Sequence, residues 1–208
     1  YAEPDNVVRG AAAPNDTRYD ELWGLETIQA EQAVDYIERN STTPTEVIIG
    51  VIDTGIDYDH PDLIDNMWIN TGEIAGDGLD NDDNGYIDDV YGINAINNSG
   101  DPMDDHSHGT HVAGTIGAIR NNNTGVAGVT PYVRLMALKF LGTDNSGFTS
   151  DAVELLNYVH MMKQENGVDV KLTNNSWGGG SESQSLQAAI EASNQNGILF
   201  VAAAGNDS

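Results

Sequence analysis

Three histidines fall within six residues in the stretch Asp105-His106-Ser107-His108-Gly109-Thr110-His111-Val112-Ala113-Gly114. Acids stand just upstream, and a small-residue apolar run follows. Ser107 or Asp105 can cap a helix whose first turn carries His108. A helix N-terminus helps keep an imidazole neutral, which suits a base working near pH 7. Gly109 lets another backbone approach closely, and Val112-Ala113-Gly114 suits tight helix packing. His108 and His111, three residues apart, share roughly one helix face, which is also metal-ligand spacing. The zinc-protease pattern needs Glu directly after the first histidine, and Gly109 stands there instead. A capped helix with surface histidines accounts for any one of these residues taken alone.

What tips the balance is a second stretch, Val47-Ile48-Ile49-Gly50-Val51-Ile52-Asp53-Thr54-Gly55-Ile56-Asp57. Its apolar run reads as a strand that ends on Asp53 and turns through glycine. Residues 28–37 read as a helix before it, with Ala30, Ala33, Val34 and Ile37 on one face. The histidine helix should run to about Ile119. Residues 133–141 form a nearly continuous apolar strand, as expected where both faces are covered. A helix starts near Ser150 or Asp151, with Ala152, Leu155, Leu156, Val159 and Met162 at helical spacing, and Gly167 ends it. Residues 170–177 are a further strand, closed by Gly178-Gly179-Gly180. Leu186, Ala189, Ile190 and Ser193 line a last helix before a strand over 198–204. This alternation predicts an α/β fold: an open, mostly parallel sheet with helices on both faces. Sites in such sheets lie beyond the carboxyl ends of the strands. Asp53, Ser176 and Asn206 all stand at such ends, which points to one shared cleft.

The 208 residues suffice for one domain with a substantial core, and the formal charge is −25. That charge argues against nucleic acid and anionic membranes as partners. Fifteen acids and no Lys or Arg lie between Asp53 and Asp105. A solvated acidic face, adaptation to high salt and cation binding all fit this run. There is no cysteine, which excludes disulfides and thiolate zinc sites. No stretch approaches membrane-spanning length.

Three blocks resemble the subtilisin-like serine proteases, the subtilases: Val51-Ile-Asp-Thr-Gly-Ile-Asp57, His108-Gly-Thr-His-Val-Ala-Gly114 and Val201-Ala-Ala-Ala-Gly-Asn206. They occur in that family's order, and the resemblance runs from about Ala13 to Ser208. It implies a secreted serine endopeptidase with a subtilisin-like fold and an Asp-His-Ser triad. His108 would be the general base, Asp53 its orienter, and Asn206 the oxyanion-hole donor. Polypeptide substrate would pair with the edge from Leu141 to Phe148, especially Asn145, Ser146 and Gly147. Ser176, Trp177, Gly178 and Ala203 would form the opposite edge and pocket wall, with Trp177 where the family usually has a smaller aliphatic residue. The family's nucleophile lies in a Gly-Thr-Ser-Met-Ala block, which is not among these residues. The expectation is therefore a C-terminally incomplete domain, inactive alone. It would fold poorly because the apolar faces of 133–141 and 198–204 lose a covering layer. Its own C-terminal segment or its propeptide would be a partner. Residues 1–13 resemble a propeptide tail or are a plain flexible terminus, and residues 14–208 are the catalytic domain.

Calcium is the expected cofactor. Within an acidic insert over residues 66–105, Asp80-Asn-Asp-Asp-Asn-Gly-Tyr-Ile-Asp-Asp89 repeats the spacing of a calcium loop. Asp80, Asp82 and Asn84 take the first, third and fifth positions, Gly85 the sixth, and the Tyr86 carbonyl the seventh. No glutamate stands at the twelfth position, so Asp88 or Asp89 would close the cage. The resemblance implies a second site from Asp16, Asp62, the Asn122 side chain and the carbonyls of Ile119, Thr124 and Val126. Two other classes of function remain open. One is a non-catalytic, subtilase-derived calcium- or peptide-binding module; the other is a zinc hydrolase using His106, His108 and His111.

Overall fold

Before its final Asp53, the run from Val47 carries no polar side chain, so neither face of this strand suits water. A computed structural model, which describes residues 13–206, places it at the centre of a five-stranded sheet. The strands are β1 (Val47–Asp53), β2 (Gly92–Asn94), β3 (Val133–Lys139), β4 (Val170–Asn175) and β5 (Leu199–Ala202). They lie in the order β2-β3-β1-β4-β5. Every pairing is parallel, so all five carboxyl ends leave one edge of the sheet. The helices are α1 (Trp23–Thr27), α2 (Ala30–Asn40), α3 (His108–Gly117), α4 (Thr149–Gln164) and α5 (Gln184–Gln195). The segment expected to be propeptide-like lies outside the described residues, Ala13 excepted.

The alternation of side chains along each strand feeds two cores. Ile49, Val51, Leu135 and Ala137 pack on one face with Ala113 of α3. Ile52, Met136 and Leu138 pack on the other with Leu155, Leu156 and Val159 of α4 and Ala189 of α5. Helices thus cover both faces, as the strand–helix alternation predicts.

Several boundaries differ from expectation for local reasons. Gln29 takes a left-handed conformation (φ 58°), which separates α1 from α2. The histidine helix stops at Gly117, two residues short. Strand β2, three residues long, is too short to show a period, yet it pairs with β3 at the edge of the sheet. The acidic stretch over 66–105 is therefore no mere excursion: Met67, Trp68, Ile93 and Ala95 from it are buried.

Strand β3 is not left open as expected, whereas β5 is partly exposed. Val133, Leu135, Met136, Ala137 and Leu138 are completely buried, because β3 lies inside the sheet between two helix layers. Strand β5 is an edge with one neighbour, and there Leu199 is 58% and Val201 39% exposed. Leu155→Ala at the α4–sheet contact should cost about 2–5 kcal/mol, read as a lower denaturant midpoint. The same truncation at exposed Ile74 should stay within about 0.5 kcal/mol.

Candidate active site

Asp53 closes β1 with its side chain fully buried. Its carbonyl accepts the amides of Phe140 (3.0 Å) and Leu141 (3.2 Å), which fixes the strand end against the end of β3. The chain then turns at Gly55 with φ +101°, a region open to glycine. The start of α3 presses on this turn so closely that a Cβ on Gly109 would lie 2.1 Å from the Gly55 carbonyl oxygen. The Gly109 amide instead donates to Thr54 Oγ1 at 2.8 Å. This close approach brings His108 Nδ1 to 2.6 Å from Asp53 Oδ1. The Thr54 amide donates to the same carboxylate oxygen at 2.8 Å. His108 is 36% exposed, and its Nε2 makes no hydrogen bond among the described residues. A neutral imidazole so placed can take a proton from a group in the cleft, and the buried carboxylate stabilises the imidazolium that results.

The helix cap differs from the expected one. Ser107 sits at φ 87° and its side chain makes no capping bond, and Asp105 points elsewhere. Asp104 does the work. Its Oδ1 accepts the amides of His106 and Ser107 and the Thr54 hydroxyl, each at 2.9 Å. Its Oδ2 accepts the Thr110 amide at 3.0 Å and the Thr110 hydroxyl at 2.5 Å. Burial alone would raise its pKa; the hydrogen bonds from Thr110, His106 and Ser107 outweigh burial and hold it below the ordinary carboxylate value.

The other histidines do not join in. His106 has its Nδ1 buried without a partner among the described residues, and His111 is exposed. His60 Nδ1 accepts the Asp62 amide at 3.1 Å. Among the described residues, the trio close enough to share an ion is Glu73, Asp82 and Asp89, with no histidine in it.

The expected substrate edges leave the same side of the sheet. Residues 142–146 close a tight loop, with Gly142 donating to the Ser146 carbonyl and Asn145, at φ 57°, donating to that of Gly142, both at 2.9 Å. A Cβ on Gly147 would lie 2.2 Å from the Phe140 carbonyl. Ser176 follows β4, and its Oγ accepts from Asn174 Nδ2 at 2.9 Å. Trp177 stands edge-on to Phe140 (4.9 Å) and Phe200 (6.3 Å), so its ring belongs to the rim of the core. Gly178 is exposed beyond it. Ala203 extends the β4–β5 pairing by donating to the Asn175 carbonyl at 3.0 Å. Asn206 is exposed beyond β5.

The candidate metal ligands form two groups. Asp16 accepts the amides of Asn121 (3.0 Å) and Asn122 (3.3 Å). Asp62 accepts from Asn122 Nδ2 (2.7 Å) and the Val126 amide (2.8 Å), and the Ile119 amide donates to its carbonyl. The Thr124 amide donates to Asn122 Oδ1 at 2.8 Å. In the acidic stretch, Asp80 accepts the amides of Asn84 and Gly85, and Gly85 makes the sharp turn at φ 93°. Asn84 Oδ1 accepts the Tyr86 amide, and Asp88 accepts the amides of Gly76 and Gly78. Asp82 and Asp89 converge with Glu73, a residue absent from the expected set.

The model of the "Subtilase family" matches residues 45–208. The chain belongs to the subtilase family. Among similar proteins, "Subtilisin-like protease 1" of Plasmodium berghei is 40% identical over 193 residues, 92% of this chain and 31% of that protein. "Thermophilic serine proteinase" of Bacillus sp. is 34% identical over 208 residues, all of this chain and 44% of that protein. "Extracellular protease" of Xanthomonas campestris pv. campestris is 33% identical over 218 residues, 99% of this chain and 37% of that protein. This subtilase chain thus spans less than half the length of each.

Two outcomes follow for the subtilase site. Asp104→Ala strands three amides of the α3 entry and should cost about 1–3 kcal/mol at neutral pH. Because the folded pKa of Asp104 is depressed, its contribution is full above the ordinary carboxylate value and is lost as pH falls through the folded one. The gap in urea midpoint between wild type and variant should therefore close in acid.

Proposed function

We propose that these residues form the base-bearing part of a serine endopeptidase that hydrolyses peptide bonds through an Asp-His-Ser triad. The supporting observation is the 2.6 Å contact between the fully buried Asp53 and the half-open His108. His108 Nε2 takes the proton of a serine hydroxyl as its oxygen attacks the scissile carbonyl. Asp53 stabilises the imidazolium, and His108 then gives the proton to the leaving amine. Asn206 donates to the oxyanion. No Gly-Thr-Ser-Met-Ala block stands among these 208 residues, so they should be inactive by themselves. The substrate strand lies between the 145–147 edge and the Ser176–Gly178 edge, with Ala203 beside it. Secretion agrees with the printed name of the Xanthomonas relative.

The reading is tested on the protein expressed from its complete reading frame. Peptide hydrolysis blocked by an active-serine reagent is expected, and His108→Ala should lower turnover by about 10²–10⁴-fold. A folded wild-type protein with no hydrolysis would sink it in favour of a non-catalytic binding module.

We infer calcium at the two acidic groups, and the observations that support it lie in the acidic stretch over 66–105. In the 80–89 loop a buried Asp82 oxygen has no hydrogen-bond partner among the described residues, and carboxylates of Glu73, Asp82 and Asp89 lie within 4.8 Å of one another. Burial pushes the Asp89 carboxyl up to about 6, against the pull of hydrogen bonds from Tyr158, Asn84 and Asn70. A hard cation relieves both conditions. Glu73, Asp82 and Asp89 would hold it, and Asp80, Asn84, Asp88 and the Tyr86 carbonyl are the further ligands proposed from the loop. Asp16, Asp62, Asn122 and the carbonyls of Ile119, Thr124 and Val126 would hold a second ion. Calcium supplies stability here and takes no part in the proton transfers. The melting temperature should rise from chelator to millimolar calcium. The rise should shrink below about pH 6, where calcium must displace a proton from Asp89. Identical melting in chelator and calcium at pH 8 would remove calcium from the account.

A further inference from the structure

Strand β3 is apolar along its core-facing length and yet ends on Lys139, opposite Asp53 in the β1–β3 register. The Lys139 side chain is 4% exposed. A charge buried in such a place is costly unless it is fully partnered. An ammonium carries three donors and no acceptor, and Lys139 Nζ finds three acceptors. They are the Thr54 carbonyl at 2.6 Å, Asp105 Oδ1 at 2.6 Å and the Leu141 carbonyl at 3.1 Å.

Each acceptor belongs to a different part of the site. Thr54 directly follows Asp53. Asp105 lies on the loop that enters α3, three residues before His108. Leu141 opens the edge expected to pair with substrate. One buried cation therefore ties the carboxylate turn, the imidazole loop and the substrate edge to a single point. Backbone bonds connect the first and third of these through the Asp53 carbonyl. Asp104 and Gly109 connect the imidazole loop to the Thr54 hydroxyl. The ammonium is the point where all three meet, and it reaches no reacting atom itself.

We propose that Lys139, through its ion pair with Asp105 and its two carbonyl bonds, is a positioning residue that sets His108 against Asp53 and holds the substrate edge in register with that pair. The inference rests on the peptidase reading for its kinetic consequences but not for its geometry.

The test uses the protein expressed from its complete reading frame, with Asp105→Ala, Asp105→Asn and Lys139→Met. Three quantities are read: melting temperature, kcat and KM on a peptide, and the low-field proton resonance of the His108 Nδ1–H that bonds to Asp53. Asp105→Ala leaves a buried ammonium without its counter-ion and should melt below wild type, whereas Asp105→Asn, which keeps an acceptor, should melt nearer to it. The kinetics and the proton are therefore read well below either melting temperature. Asp105→Ala frees the imidazole loop alone: kcat should fall by up to about tenfold with KM unchanged, and the low-field proton should weaken. Asp105→Asn keeps a hydrogen-bond acceptor and should recover most of this. Lys139→Met also frees Leu141, so kcat should fall by about 10²-fold and KM should rise. Unchanged kcat and an unchanged low-field proton in Asp105→Ala would overturn the proposal. So would a Lys139→Met loss that merely follows a lowered melting temperature while the proton stays intact. A wild-type protein that shows the proton but no hydrolysis would refute the peptidase reading. In that case the proton, lost or kept in the variants, still decides the role of Lys139.

Discussion

The site depends on one steric fact: the backbone at Gly109 reaches the backbone at Gly55 with no room between them for a methyl group. Asp53 is fixed by the sheet and cannot move toward its partner, so α3 must come to it. A helix can approach a strand turn this closely only where a residue lacks a side chain. Once it does, the Thr54 hydroxyl and the Asp104 carboxylate become shared links between the two segments. The short Asp53–His108 contact is then the product of packing, and its orientation costs little when a proton moves.

A chain with 33 acids and eight bases cannot neutralise its carboxylates by ion pairing. Here many of them accept backbone amides instead. Glu73 gathers the amides of Asn81, Asp82 and Asp88, while Asp80, Asp88 and Asp104 each hold two or more others. Loops that lack a regular ladder thereby have their donors met by side chains. At Asp82 and Asp89 side-chain donors from Asn70, Asn84, Asn166 and Tyr158 take over, yet one buried Asp82 oxygen has no partner among the described residues and burial raises the Asp89 carboxyl.

Much of this was legible in the sequence, because strong signals were local. The apolar runs that became β1 and β3, and the spacing of Leu155, Leu156 and Val159, are signals carried within a few residues. The pairing of Asp53 with His108 was readable from motifs that place one at a strand end and the other at a helix start. What the sequence hid is contact between distant segments. Asp104 was visible only as one of several acids before the helix, and nothing local distinguishes it from Asp105. Glu73 lies outside the repeat of oxygens in the 80–89 loop and joins Asp82 and Asp89 only through the fold. Lys139 looked like one of two polar positions, with Arg134, in an otherwise apolar strand, and β2 was too short to carry any period at all.

The ends of β1 and β3 have a consequence for how the sheet assembles. A strand that is apolar on both faces gains nearly as much burial when shifted by one residue, so hydrophobicity specifies its alignment weakly. Asp53 and Lys139 stand opposite each other at the last paired position of these two strands. A slip would leave a buried carboxylate and a buried ammonium without their partners, which the interior tolerates badly. The same two side chains that serve the site thus act as stops that reject misaligned strands, and a chain that replaced both with apolar residues would lose its alignment signal together with its chemistry.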